Sequence, residues 1–295
     1  MVLPQFQAQP SFDAFVRAAS LEEALEAMTD GRGTVVAGGT DLWVQKSLPG
    51  AVPGDRLISI RHVPELAGIT IADGHIRLGA LVTMSEILES AAIKESAPVL
   101  PMAANRFASV QIRNAATIGG NVANASPAAD MAPPLLCMDA AVELARHDDG
   151  IARREVALRE FFTGPGQSVR RPDELVTAIL LPVAAVGHVA AFCKSGPRPA
   201  LEIARVSMAL TGVAENGALT APRIAFGAVA PVPVRCPKTE AMIEGAALTD
   251  ETIAAAVETM DGEISPIADH RASDWYRRHL ARTYLEQELR HVRDG

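Results

Sequence analysis

Apolar residues at Leu21, Ala24, Leu25 and Met28 recur at helical spacing, and Ser20 followed by Glu23 supplies a capping box in front of them. The pattern predicts a helix ended by Asp30-Gly31-Arg32-Gly33, where glycine tolerates a left-handed cap. The period then shortens. The β-branched run Thr34–Ala37 reads as a strand halted at Gly38-Gly39, Leu57–Ile60 as a second strand, and Ile69–Leu81 as a hairpin about Asp73-Gly74. Thr83 and Glu86 open another helix, Ala103–Val110 reads as helical, and Val142–Ala145 with Ala152–Val156 reads as a hairpin. The most apolar window, Leu175–Phe192, is broken by Pro182, Gly187 and His188, so it reads as two strands around a turn rather than a membrane span.

Across Pro182–Gly187 the character changes, and we place a domain boundary there, dividing the chain into 1–182, with a subdomain split near residue 60, and 183–295. Beyond it, strands are expected at Val189–Phe192, Val206–Val213 and Ile224–Val229. A helix follows with Ile253, Ala256, Val257 and Met260 on one face, then a terminal helix from Ser273 to Arg290 with Tyr276, Leu280 and Tyr284 four apart. Trp275, Tyr276 and Tyr284 read as core.

Composition narrows the function classes. Apolar residues make up 48% of the 295 and charged residues 21%, enough for a sizeable core. The net charge of −8 disfavours nucleic acid and anionic membrane surfaces as partners, because those contacts are mainly electrostatic. Aromatic residues are only 4%, too few for base-stacking platforms. Cys137, Cys193 and Cys236 are widely spaced and odd in number, which argues against a disulfide framework and against an iron–sulfur or zinc site in this chain. The seven histidines show neither HxxxH nor HExxH spacing. With no secretory pattern at the amino terminus, a cytoplasmic location is expected.

Two segments share a physical design. Ala37-Gly38-Gly39-Thr40-Asp41-Leu42 and Thr117-Ile118-Gly119-Gly120-Asn121 each set two glycines between an apolar approach and short polar side chains. Without Cβ atoms the backbone can turn tightly and bring its N–H groups to a ligand, and consecutive N–H groups make an anion nest. Two such turns could clasp a diphosphate, although either by itself is also an ordinary strand-ending loop. Neither is a GxGxxG fingerprint or a P-loop.

Together with Gln111-Ile112-Arg113-Asn114-Ala115-Ala116, the two segments resemble the FAD-binding subunits of the xanthine dehydrogenase and carbon monoxide dehydrogenase family. Asn124-Ala125-Ser126-Pro127-Ala128-Ala129-Asp130, Phe192–Arg198 and Asp269-His270-Arg271-Ala272-Ser273 extend the resemblance over nearly the whole chain. It implies an α+β fold: a two-part FAD-binding domain followed by a smaller α+β domain. It further implies non-covalent FAD, accepting electrons from the [2Fe–2S] clusters of a small partner subunit and passing them to an external acceptor. The molybdenum cofactor would lie in a large partner subunit.

Carried over by motif, Ala37–Leu42 and Thr117–Asn121 would hold the diphosphate and ribityl chain, and Asp130 the ribityl or ring end. Lys194 would lie near the isoalloxazine, with the segment around Val176 packed on it. By residue chemistry, Asp130 could equally cap the helix that follows it, Lys194 could be a solvated strand lysine, and Arg113 could meet phosphate or a carboxylate. The rival reading is a non-redox module binding a nucleotide phosphate. A self-sufficient flavin oxidase would need its own acid–base set, and none converges in the sequence.

Overall fold

The computed structural model describes residues 12–46, 54–185, 187–198, 202–215 and 217–295. The first unit is a small parallel sheet, ordered β1-β3-β2, of β1 (Phe12–Arg17), β2 (Gly33–Val36) and β3 (Gly54–Ser59). Helix α1 (Leu21–Glu26) joins the first two strands, and the short α2 (Leu42–Lys46) follows the second. Ser20 caps α1 as its spacing predicts, accepting from the Glu23 N–H. The returning arm from Glu23 goes one residue further back, to the Ala19 N–H. Leu21, Ala24, Leu25 and Met28 are buried with Ile58, Ile60 and Leu66 in this unit's core.

The second unit is an antiparallel sheet ordered β4-β5-β10-β6-β7, from β4 (Ile69–Ala72), β5 (His75–Gly79), β6 (Ala141–His147), β7 (Ile151–Ala157) and β10 (Leu175–Pro182). Between its second and third strands in sequence the chain makes α3 (Met84–Glu89), α4 (Ala91–Ser96), α5 (Val99–Asn105), α6 (Val110–Arg113), α7 (Ile118–Ala123) and α8 (Ala132–Cys137). The α9 turn (Leu158–Phe161) and a two-stranded ribbon of β8 (Phe162–Gly164) and β9 (Gln167–Ser168) close the unit. The capping box at Thr83 is complete in both directions. The helix expected over Ala103–Val110 is instead two. α5 ends at Asn105, Ala108 turns left-handed at φ 37°, and Ser109 caps α6 afresh. Arg113 Nη1 supports this break by donating to the carbonyls of Phe107 and Ala108, and among the described residues no carboxylate pairs with the guanidinium.

The third unit is an antiparallel sheet of β11 (His188–Ser195), β12 (Val206–Glu215), β13 (Ala218–Gly227) and β14 (Val234–Arg235) in sequence order. Helices α10 (Pro237–Ile243), α11 (Asp250–Asp261) and α12 (Asp274–Asp294) complete it. Met208, Leu210, Ile224 and Phe226 pack with α11 and α12 on one face. The alternate residues Ala209 and Ala225 belong to the core of the second unit. Sheet three is therefore covered on both faces, and its small-residue face admits α8. The two strands expected in Leu175–Phe192 form, but in different sheets. Among the described residues no helix is long and apolar enough to cross a membrane.

In α12 the buried row is Arg277, Ala281, Leu285 and Leu289, one position on from the expected Tyr276, Leu280 and Tyr284, which are partly covered. Trp275 is 69% exposed and stacks on His279, so it is not core.

Candidate functional site

The first glycine turn runs straight out of β2. Gly39 has φ +70°, the left-handed region that favours glycine, and a Cβ there would come within 2.7 Å of the Trp43 indole nitrogen. A Cβ on Gly38 would overlap the Ala115 carbonyl oxygen, so the first turn packs directly against the approach to the second. Gln45 on α2 ties them further, donating to Asp41 and, at 2.9 Å, to Asn124 just past α7. The two turns, far apart in sequence, are thus brought together.

They are not equivalent. Among the described residues, the backbone N–H groups of Gly38, Gly39, Thr40 and Asp41 donate to no protein acceptor, so these donors are left for a ligand. The second segment is the first turn of α7, not a loop. Its Ile118 and Gly119 N–H groups are taken by the Val82 and Ala80 carbonyls, and that of Gly120 by the capping Thr117 hydroxyl. The nest expected of this segment is therefore closed, because the helix start satisfies its donors by docking on the chain after β5. Gly119 is needed for that approach: a Cβ would lie 2.5 Å from the Ala80 Cβ. What this segment leaves unpaired is a side chain, since the buried Oδ1 of Asn121 has no partner.

Asp130 and Lys194 form a buried ion pair of 2.7 Å joining the second unit to β11. Asp130 does not cap α8, whose N-cap is Met131 without a side-chain bond. Lys194 is not solvated; its side chain is fully buried, and its ammonium also donates to the carbonyls of Arg106 and Glu202, each at 3.2 Å. Burial pushes the Asp130 carboxyl up to about 6 against the opposing pull of Lys194. Its second oxygen, Oδ1, is buried without a partner. An unpaired buried carboxylate oxygen costs free energy unless a donor arrives from outside the chain.

Arg106 is a participant that no motif announces. Its guanidinium donates to the Lys194 carbonyl while its own carbonyl accepts from the Lys194 ammonium, a reciprocal clasp. It follows directly after α5 and carries no spacing signal. Val176 is 3% exposed in β10, beside the irregularity between Val176 and Ala178. Thr40 and Leu42 are half-buried, while Asp41 is exposed.

Open amides at one turn suit a diphosphate, and orphaned acceptors at Asn121 and Asp130 suit a ligand rich in hydroxyl or N–H donors. FAD carries both kinds of group, so the residues present fit it. Glu22, Glu26 and His147 form the one trio among the described residues whose ligating atoms lie within 4.8 Å of one another, and both glutamates are exposed.

The sequence model described as "FAD binding domain in molybdopterin dehydrogenase" matches residues 6–184, and that described as "CO dehydrogenase flavoprotein C-terminal domain" matches 191–292. The chain belongs to this family of FAD-binding oxidoreductase subunits, and its cofactor is FAD. It is 34% identical over 284 residues to the xanthine dehydrogenase FAD-binding subunit of Escherichia coli O157:H7, covering 94% of this chain and 95% of that one. It is 30% identical to the glyceraldehyde dehydrogenase medium chain of Sulfolobus acidocaldarius, over 96% of this chain and 99% of the relative. In structure it is similar to a chain of reconstituted CO dehydrogenase from Oligotropha carboxidovorans, with a TM-score of 0.88 and 28% identity over 94% of this chain and 96% of that one.

Proposed function

We propose that this chain is the FAD-carrying subunit of a heterotrimeric molybdenum hydroxylase in the cytoplasm, with a large molybdenum-binding and a small [2Fe–2S]-binding partner. When bound, the flavin would supply the chemistry, accepting electrons from the partner's clusters and handing them to an external acceptor. This chain's own residues bind and orient. The N–H groups of Gly38–Asp41 would hold the diphosphate, with Ala37 and Leu42 flanking it. Asn121 Oδ1 would accept from the ribityl chain, within a frame set by Thr117, Ile118, Gly119 and Gly120. Asp130 Oδ1 would accept from the ribityl or ring end, and Lys194 would keep Asp130 charged and in place. Val176 would back the ring from the interior. We also propose that the functional division falls at 182/183, so that the Asp130–Lys194 pair bridges the two domains.

The observation that carries this reading is the pairing of four unsatisfied amides at Gly38–Asp41 with two orphaned buried oxygens in a chain of this family. The purified chain should absorb near 450 nm, hold about one FAD, and contain no iron, sulfide or molybdenum. Purification from the native host should bring down a large and a small polypeptide. A colourless chain, or one that oxidises an aldehyde or heterocycle at enzymatic rates without other polypeptides, would overturn it.

A further inference from the structure

We propose a second ligand site, for the phosphate or carboxylate group of a small anionic molecule, in a cavity between the second and third units. The cavity is about 500 Å³ and is lined by Leu136, Asp139, Arg159, Arg223, Arg235 and Pro237, among others. Three arginines and one aspartate thus stand in its walls. Arg235 is fully engaged, with its Nε and Nη2 on Glu240 at 2.9 and 2.6 Å and its Nη1 on Asp139. Arg223 spends Nε on Asp139 at 3.0 Å and Nη1 on the Pro222 carbonyl, leaving Nη2 without an acceptor among the described residues. Arg159 has only a 3.4 Å contact from Nε to Glu160, so both its terminal nitrogens lack acceptors there.

Two arginines with unused donors, one from each unit, therefore line the same cavity. A planar fork of this kind matches the oxygens of a phosphate or carboxylate, and one anion touching both would bridge the units.

This site is separate from the flavin residues, and the inference does not rest on the FAD reading. Lys194 pairs with Ser207 and Arg223 with Thr211 on the same strand β12, four residues and about 13 Å apart. Asp130 and Asp139 likewise lie before and after α8, at its opposite ends.

The test is isothermal titration of the purified flavin-containing chain with inorganic phosphate and, separately, succinate, each at ionic strength matched with chloride. We expect saturable one-site binding of at least one of them, weakened at least tenfold by Arg159→Gln or Arg223→Gln, with absorbance at 450 nm per chain unchanged. The arm that binds identifies the anion's chemistry. Arg159 is 68% exposed at its side chain, so that variant should fold even if Arg223→Gln does not. The site is refuted if neither anion binds saturably, or if both variants retain the binding. A chain lacking flavin would sink the FAD reading but not this one, because phosphate in an empty diphosphate nest would ignore both substitutions.

Discussion

Asp130 and Lys194 concentrate the energetic risk of the molecule in one contact. Breaking a buried pair by removing one partner strands a charge, so Lys194→Met should cost about 3–5 kcal/mol in denaturant unfolding and release flavin. The pH dependence has a defined sign. Because burial raises the Asp130 carboxyl to about 6 in the folded state, above its ordinary range near 4, its neutral form stabilises the fold. That contribution is full below about pH 4 and is lost as pH rises through 6. In flavin-depleted protein, the stability of the native sequence relative to Asp130→Asn should therefore fall between pH 4 and 6; a rise or a flat difference would contradict the burial argument. Asp269 has the opposite sign. Burial acts to raise it, but N–H donors of Arg271 and Ala272 and the Arg277 guanidinium outweigh that and hold it at about 2. Its contribution is present above about pH 4 and is lost as pH falls towards 2.

At the scale of elements, the two glycine segments separate experimentally. Gly39→Val places a branched side chain at φ +70° beside the Trp43 indole and beside the open amides. It should leave a folded chain that purifies without its yellow colour. Gly119→Ala acts on packing instead, pressing α7 off Ala80, and should cost about 1–3 kcal/mol of stability by overpacking. Gly120→Ala meets only the Thr117 hydroxyl at 2.9 Å and should be milder than Gly119→Ala in the same melt. If the ranking of 119 and 120 reverses, the helical account of the second segment is wrong. Neither turn contains a histidine or cysteine able to attach the flavin covalently, so acid precipitation should leave the FAD in the supernatant.

For the molecule as a whole, the second and third units are locked by α8, which packs in the core of the second unit and against sheet three. The Cys137 thiol donates to the carbonyls of Ala209 and Arg223, and the Thr211 hydroxyl donates back to the Cys137 carbonyl. All three cysteines are free, Cys137 and Cys236 are buried, and burial pushes every one of the thiols up. A thiol reagent at pH 8 should thus label the native chain slowly and the denatured chain fully, at three sites. Rapid labelling of all three in the native state would mean that this junction opens.

What local pattern could specify was specified: caps at Ser20 and Thr83, strands at the β-branched runs, the first glycine turn, and the motif set that marks the family. These depend on residues a few positions apart, where a side chain meets its own backbone. Contacts between distant segments lay outside that reach. Helix α7 closes the second nest because its donors find Ala80 and Val82 on another element. The buried face of α12 is headed by a charged residue, Arg277, because the carbonyls of Arg205 and Ala228 and the Asp269 carboxylate await it. Lys194 and Arg106 clasp each other across 88 positions, a pairing that no periodicity can announce. The sequence by itself determined which residues could bind a phosphate or carry a charge; the tertiary structure alone decided which of those groups are already satisfied by the protein, and so which remain for a ligand.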